Sequence, residues 1–112
     1  MTISIVLFAL AAIGGVALAY KVFRSRPLPA SLAVGHGVLA VAGFVALLAA
    51  ALGNSTAASP WAAIGLFAVA ALGGLALASF HLRGRSLPVP LTLIHGGVAV
   101  AGFVALLVAV LG

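Results

Sequence analysis

The stretch Leu32-Ala33-Val34-Gly35-His36-Gly37 recurs 59 positions later as Leu91-Thr92-Leu93-Ile94-His95-Gly96. Each copy sets one imidazole inside an otherwise apolar run. Working outward, residues 8–53 lie on residues 67–112 without a gap, with 28 identities in 46 positions and an unbroken match of Ala40–Leu48 with Ala99–Leu107. The chain is therefore a tandem duplication, repeat A covering about 1–53 and repeat B about 60–112.

Composition decides the medium. Of 112 residues, 66% are hydrophobic and 4% charged, with no Asp, Glu or Cys. Such a chain cannot build the charged surface of a water-soluble domain, and it offers no disulfide, thiolate metal site or covalent haem attachment. Four apolar runs, Ile3–Phe23, Pro29–Leu52, Pro60–Leu82 and Val89–Leu111, each reach the ~20 residues a helix needs to cross the hydrocarbon layer. The first run lacks the basic start of a secretory signal and reads as a retained helix. The net charge of +5 comes from Lys21, Arg24 and Arg26 after run one and Arg83 and Arg85 after run three. This placement points to lipid phosphates, not nucleic acid. The basic loops 24–29 and 83–88 are expected on the cytoplasmic side of a bacterial inner membrane, with both termini outside.

Pro27 and Pro29, and Pro88 and Pro90 in the second copy, suit short turns that open helices. Such turns make helix 1 neighbour helix 2 and helix 3 neighbour helix 4. The expected fold is an all-α, up-down-up-down four-helix transmembrane bundle of two parallel two-helix repeats, with helices 2 and 4 across the diagonal. Ala11, Gly15 and Ala19, and Ala70, Gly74 and Ala78, form small-residue stripes that let helices approach closely. Trp61 reads as an interfacial anchor. Asn54-Ser55-Thr56 matches a glycosylation pattern too common to carry an argument.

A histidine within the hydrocarbon is costly and marks function by default. His36 lies seven residues beyond Pro29 and His95 seven beyond Pro88, so both are expected about 10 Å inside the basic face. Two imidazoles facing each other suit a metal, but zinc wants three or four protein ligands and the chain offers no carboxylate or thiolate. A porphyrin supplies four nitrogens itself and needs only two axial ligands. The expected cofactor is one haem b per chain between His36 and His95.

Gly37 and Gly96 remove bulk beside the ligands, and the pairs Gly14-Gly15 and Gly73-Gly74 are expected to clear space for the macrocycle's edges. Arg24, Arg26, Arg83 and Arg85 are the groups available to pair with its two propionates. Phe44 and Phe103 are expected to fill the floor beneath it. His81, whose counterpart is Val22, reads as a solvated interfacial ring.

In His36, His95 and these glycines the chain resembles the membrane b-type cytochromes, where paired histidines on transmembrane helices hold haem. The resemblance is one of arrangement, and it implies one-electron transfer with a quinone, another cytochrome or a larger membrane complex as redox partner. Other readings of the pair remain open: hydrogen-bonded structural histidines, a proton-relaying or quinone-binding pair, a bare metal, or chlorophyll. A cofactor-free structural or assembly subunit of a larger membrane complex is the competing class.

Overall fold

A computed structural model describes residues 1–53 and 59–112; the glycosylation pattern at Asn54-Ser55-Thr56 lies outside them. The helices are α1 (Thr2–Phe23), α2 (Ala30–Gly53), α3 (Trp61–Leu82) and α4 (Val89–Leu111). With 22 to 24 residues each, they run about 33–36 Å, enough to cross a bilayer's hydrocarbon layer. All four are apolar throughout and carry few charges. The result is the expected up-down-up-down transmembrane bundle, 44 Å long and 22 by 19 Å across.

The turns between paired helices show how the duplication is built. At the end of α1 the Arg26 N–H donates to the Lys21 carbonyl at 2.8 Å and the Ser25 N–H to the Val22 carbonyl at 3.1 Å. At the end of α3 the Arg85 and Gly84 amides make the same bonds to Phe80 and His81, at 2.9 and 3.1 Å. This is the Schellman closure, which satisfies orphan carbonyls and needs one left-handed residue. That residue is Gly84, at φ 67°, in one copy and Ser25, at φ 52°, in the other. The prolines then open the next helices: the Pro29 carbonyl accepts the Ala33 N–H and the Pro88 carbonyl the Thr92 N–H.

Within each repeat the two helices pack closely along their length. The repeats meet more sparingly, through α1 against α4 and α2 against α3, and among the described residues no backbones approach closely across the diagonals. The tightest packing lies in the half of the bundle away from the basic turns. There Phe8, Leu47, Ala63, Ile64, Phe67 and Leu106 form one buried cluster. Most large apolar side chains instead face outward, Val16, Val38, Leu72 and Val100 among them, as lipid allows and water would not.

Candidate metal centre

His36 sits on the seventh residue of α2 and His95 on the seventh of α4, so both lie about 9 Å from the basic end of the bundle. Each ring turns onto the partner helix of its own repeat. The Nδ1 of His36 lies 2.7 Å from the Ala11 carbonyl oxygen on α1, and the Nδ1 of His95 lies 2.7 Å from the Ala70 carbonyl oxygen on α3. A carbonyl oxygen only accepts, so Nδ1 carries the proton and donates it. In the neutral ring that leaves Nε2 as the unprotonated nitrogen, with a lone pair for a ligand.

The glycines explain why a helical carbonyl is reachable at all. In an α-helix the carbonyl of residue i points at residue i+4, where a side chain would cover it. Residue i+4 from Ala11 is Gly15 and from Ala70 is Gly74. A Cβ at Gly15 would stand 3.0 Å from His36 Cε1, and one at Gly74 would stand 3.1 Å from His95 Cε1. Gly14 and Gly73 meet the same histidines nearer the backbone, at Cβ distances of 3.6 and 3.4 Å. The space in front of the glycine pairs, expected for a macrocycle's edges, is occupied by the imidazoles themselves.

The two rings face each other across the bundle with centroids 6.2 Å apart and planes at 86°. Two imidazoles on opposite sides of one metal ion need about 2.0 Å for each metal–nitrogen bond plus the distance from each nitrogen to its ring centre, about 6 Å in all. The separation therefore fits a single shared ion. No cluster of three or more His, Cys, Asp or Glu occurs among the described residues, so a metal here would draw its remaining ligands from elsewhere.

Toward the far end the site is closed by aromatic rings. Phe8 and Phe67 stack with centroids 3.8 Å apart and planes within 4°. Gly43 and Gly102 admit them, since a Cβ there would meet the Phe8 and Phe67 rings at 3.2 and 3.3 Å respectively. This corrects the expected floor. Phe44 and Phe103 are only half-buried and pack on the edge of the cluster, while Phe8, Phe67, Leu47 and Leu106 form its middle. The inward register otherwise runs as read from His36: Gly43 and Leu47 are buried and Leu32, Leu39 and Ala40 half-buried, with the same pattern from His95.

The remaining site residues lie apart from the rings. Nothing approaches within 4 Å of a Cβ built at Gly37 or Gly96, and Gly37 opens onto an apolar groove on the outer face of α2 beside Val34, Val38 and Val41. Arg24, Arg26, Arg83 and Arg85 are exposed at the basic end. The Arg24 and Arg26 guanidinium groups lie 5.6 and 6.0 Å from the Tyr20 ring centre, and that of Arg83 lies 5.1 Å from Phe80. Arg83 also donates to the Ser79 carbonyl and hydroxyl oxygens. His81, expected as a solvated ring, is half-buried in the last turn of α3.

The carbonyl partners of the histidines and the Phe8–Phe67 stack are not among the features expected from the sequence. A signal for the first was available as Ala-x-x-x-Gly opposite each histidine, and for the second as a phenylalanine three residues before each of those alanines. Comparison with known proteins returns no matching family model, no matching curated protein and no matching solved structure.

Proposed function

We propose that the protein is a membrane-embedded electron carrier that holds one low-spin haem b between His36 and His95. The observation that carries this reading is the pair of imidazoles 6.2 Å apart, each with Nδ1 engaged by a backbone carbonyl. Histidines that ligate metals characteristically donate their other ring N–H in this way, which fixes the tautomer and raises ligand basicity. Haem held there by His36 and His95 would supply a one-electron change.

The chain's own residues then have distinct tasks. Ala11 and Ala70 orient the rings through their carbonyls, and Gly15 and Gly74 admit the rings to those carbonyls. The Phe8–Phe67 stack closes the far side against water. The arginines at the basic end, with Lys21 beside them in the last turn of α1, provide positive charges for the propionates, in a chain that has no carboxylate side chain to compete for them. By the positive-inside rule that end is cytoplasmic. Since the rings lie about 9 Å from it, a redox partner, whether a quinone, another cytochrome or a larger complex, would meet the protein on that side.

The same two hydrogen bonds also favour a second reading. Each would tie a hairpin together without any ligand, as in a cofactor-free structural or assembly subunit. Protein purified from haem-replete cells separates the two. The haem reading expects sharp Soret and α bands that shift on reduction and vanish in His36→Ala and in His95→Ala. A colourless preparation would leave the structural reading. If haem is bound but Arg26→Gln with Arg85→Gln leaves its affinity and potential unchanged, the propionate assignment is wrong.

A further inference from the structure

The site repeats itself across the pseudo-twofold axis with little distortion. The histidine–carbonyl distances are both 2.7 Å, the glycine cradles 3.0 and 3.1 Å, and the glycine–phenylalanine contacts 3.2 and 3.3 Å. The floor is nearly the same in sequence: Ala40–Leu48 matches Ala99–Leu107 residue for residue, and Phe8, Ala11 and Gly15 match Phe67, Ala70 and Gly74, while half-buried Leu39 stands opposite Val98 and buried Ser4 opposite Ala63. The Phe8 and Phe67 rings that meet over the axis lie within 4° of parallel.

The repeats differ chiefly toward the basic end, at Tyr20 and Ser79, Val22 and His81, Ala33 and Thr92, and Gly35 and Ile94. Two of the polar side chains among these are engaged by their own helices: Ser79 donates its hydroxyl to the Ala76 carbonyl and Thr92 to the Pro88 carbonyl.

A flat ligand held between the histidines, with its acidic edge toward the basic end, lies along this axis. Rotating it by half a turn about the axis exchanges its two faces and swaps His36 for His95. The two propionates of haem exchange with each other in that rotation and are chemically alike. The vinyl and methyl groups also exchange, and they are not alike, but they face a floor whose two halves differ beside the rings by a single methylene, Leu39 against Val98, and match from Ala40 to Leu48 and from Ala99 to Leu107.

We infer that the site does not distinguish the two faces of haem, and that the cofactor is seated in two orientations related by the pseudo-twofold axis in comparable amounts. The inference rests on the haem reading above. It makes the floor residues, not the ligating histidines, the determinants of seating. A change confined to one half of the floor would create the missing preference, and the same change in the other half would reverse it.

Proton NMR of the oxidised, haem-loaded full chain in detergent reads the seating directly, because the porphyrin methyl signals are shifted apart by the iron and differ between orientations. Two sets of methyl signals are expected, with intensities within about threefold of each other, the ratio that near-equal energies give. Phe8→Leu and Phe67→Leu are expected to skew the ratio in opposite senses. A single set of signals in the unaltered protein would overturn the inference while leaving the haem reading intact. A preparation that binds no haem would remove both.

Discussion

The two repeats agree where the imidazoles sit and disagree where the chain turns. At the site, corresponding distances match to about a tenth of an ångström: 2.7 and 2.7 Å for the histidine bonds, 3.0 and 3.1 Å for the glycine cradles. At the turns, one repeat places a glycine at the left-handed position and the other a serine, and Val22 stands where the other copy has His81. The difference shows what each geometry tolerates. A Schellman closure needs one unusual dihedral angle, which serine can adopt at a cost of about 1–2 kcal/mol. The histidine–carbonyl contact needs the absence of an atom, and only glycine provides that.

Several substitutions test how far the two repeats are equivalent. The largest effect is expected at the ligands: His36→Ala and His95→Ala should each abolish the six-coordinate low-spin absorption spectrum, and to the same extent. An effect in one copy only would mean that the rings do not share one ion. Next come Gly43→Ala and Gly102→Ala, whose methyl groups would press on the Phe8 and Phe67 rings. Each should cost about 1–3 kcal/mol as overpacking, measured by unfolding in mixed detergent micelles, with closely similar values in the two repeats.

Gly15→Ala and Gly74→Ala should displace the imidazole from its carbonyl with less effect on the fold. Haem affinity is expected to fall about 10–100-fold in each, the range seen when a ligating histidine loses its outer partner. Titration of the apoprotein with haem would check this, and an unchanged affinity would show that the carbonyl bond does not prepare the ligand.

The smallest effects are expected at the turns and have opposite signs. Ser25→Gly removes about 1–2 kcal/mol of left-handed strain and adds about 0.4–1 kcal/mol of unfolded-chain entropy, so it should stabilise by about 0.5–1 kcal/mol. Gly84→Ser should destabilise by a similar amount. Shifts of the same sign would mean that the two closures are not equivalent.

Much of the fold was legible in the sequence because hydrocarbon leaves the backbone few choices. The apolar runs, read as Ile3–Phe23, Pro29–Leu52, Pro60–Leu82 and Val89–Leu111, fall within a residue of the helix bounds at each end. The duplication then set the pairing of helices and the diagonal on which His36 and His95 face each other. The partners of those histidines were not legible, because a backbone carbonyl has no letter of its own. Its exposure depends on what stands four residues later on another helix, and without that contact the glycine pairs read as space for a macrocycle, where the structure places the imidazoles.

The floor was misread for a related reason. Phe44 and Phe103 share a helix face with the histidines, whereas Phe8 and Phe67 reach the axis from the neighbouring helices, and the rotation of those helices is set by packing. His81 shows the limit from the other side. Its lack of a counterpart marked it as outside the site, while its half-buried position depends on the turn of α3.

We propose that these two imidazoles, held near a right angle by their carbonyls, bind one haem iron. Low-temperature electron paramagnetic resonance of the oxidised protein tests it most directly. If the rings kept their 86° angle on a shared iron, the two iron orbitals that bond with them would be nearly equal in energy, and the low-spin ferric signal would be strongly anisotropic, with its main feature at unusually low field. That signal, lost in His36→Ala and in His95→Ala, is the predicted result. A rhombic low-spin signal would show that the rings turn parallel in the bound state. The absence of any low-spin haem signal from protein prepared in haem-replete cells would contradict the claim outright.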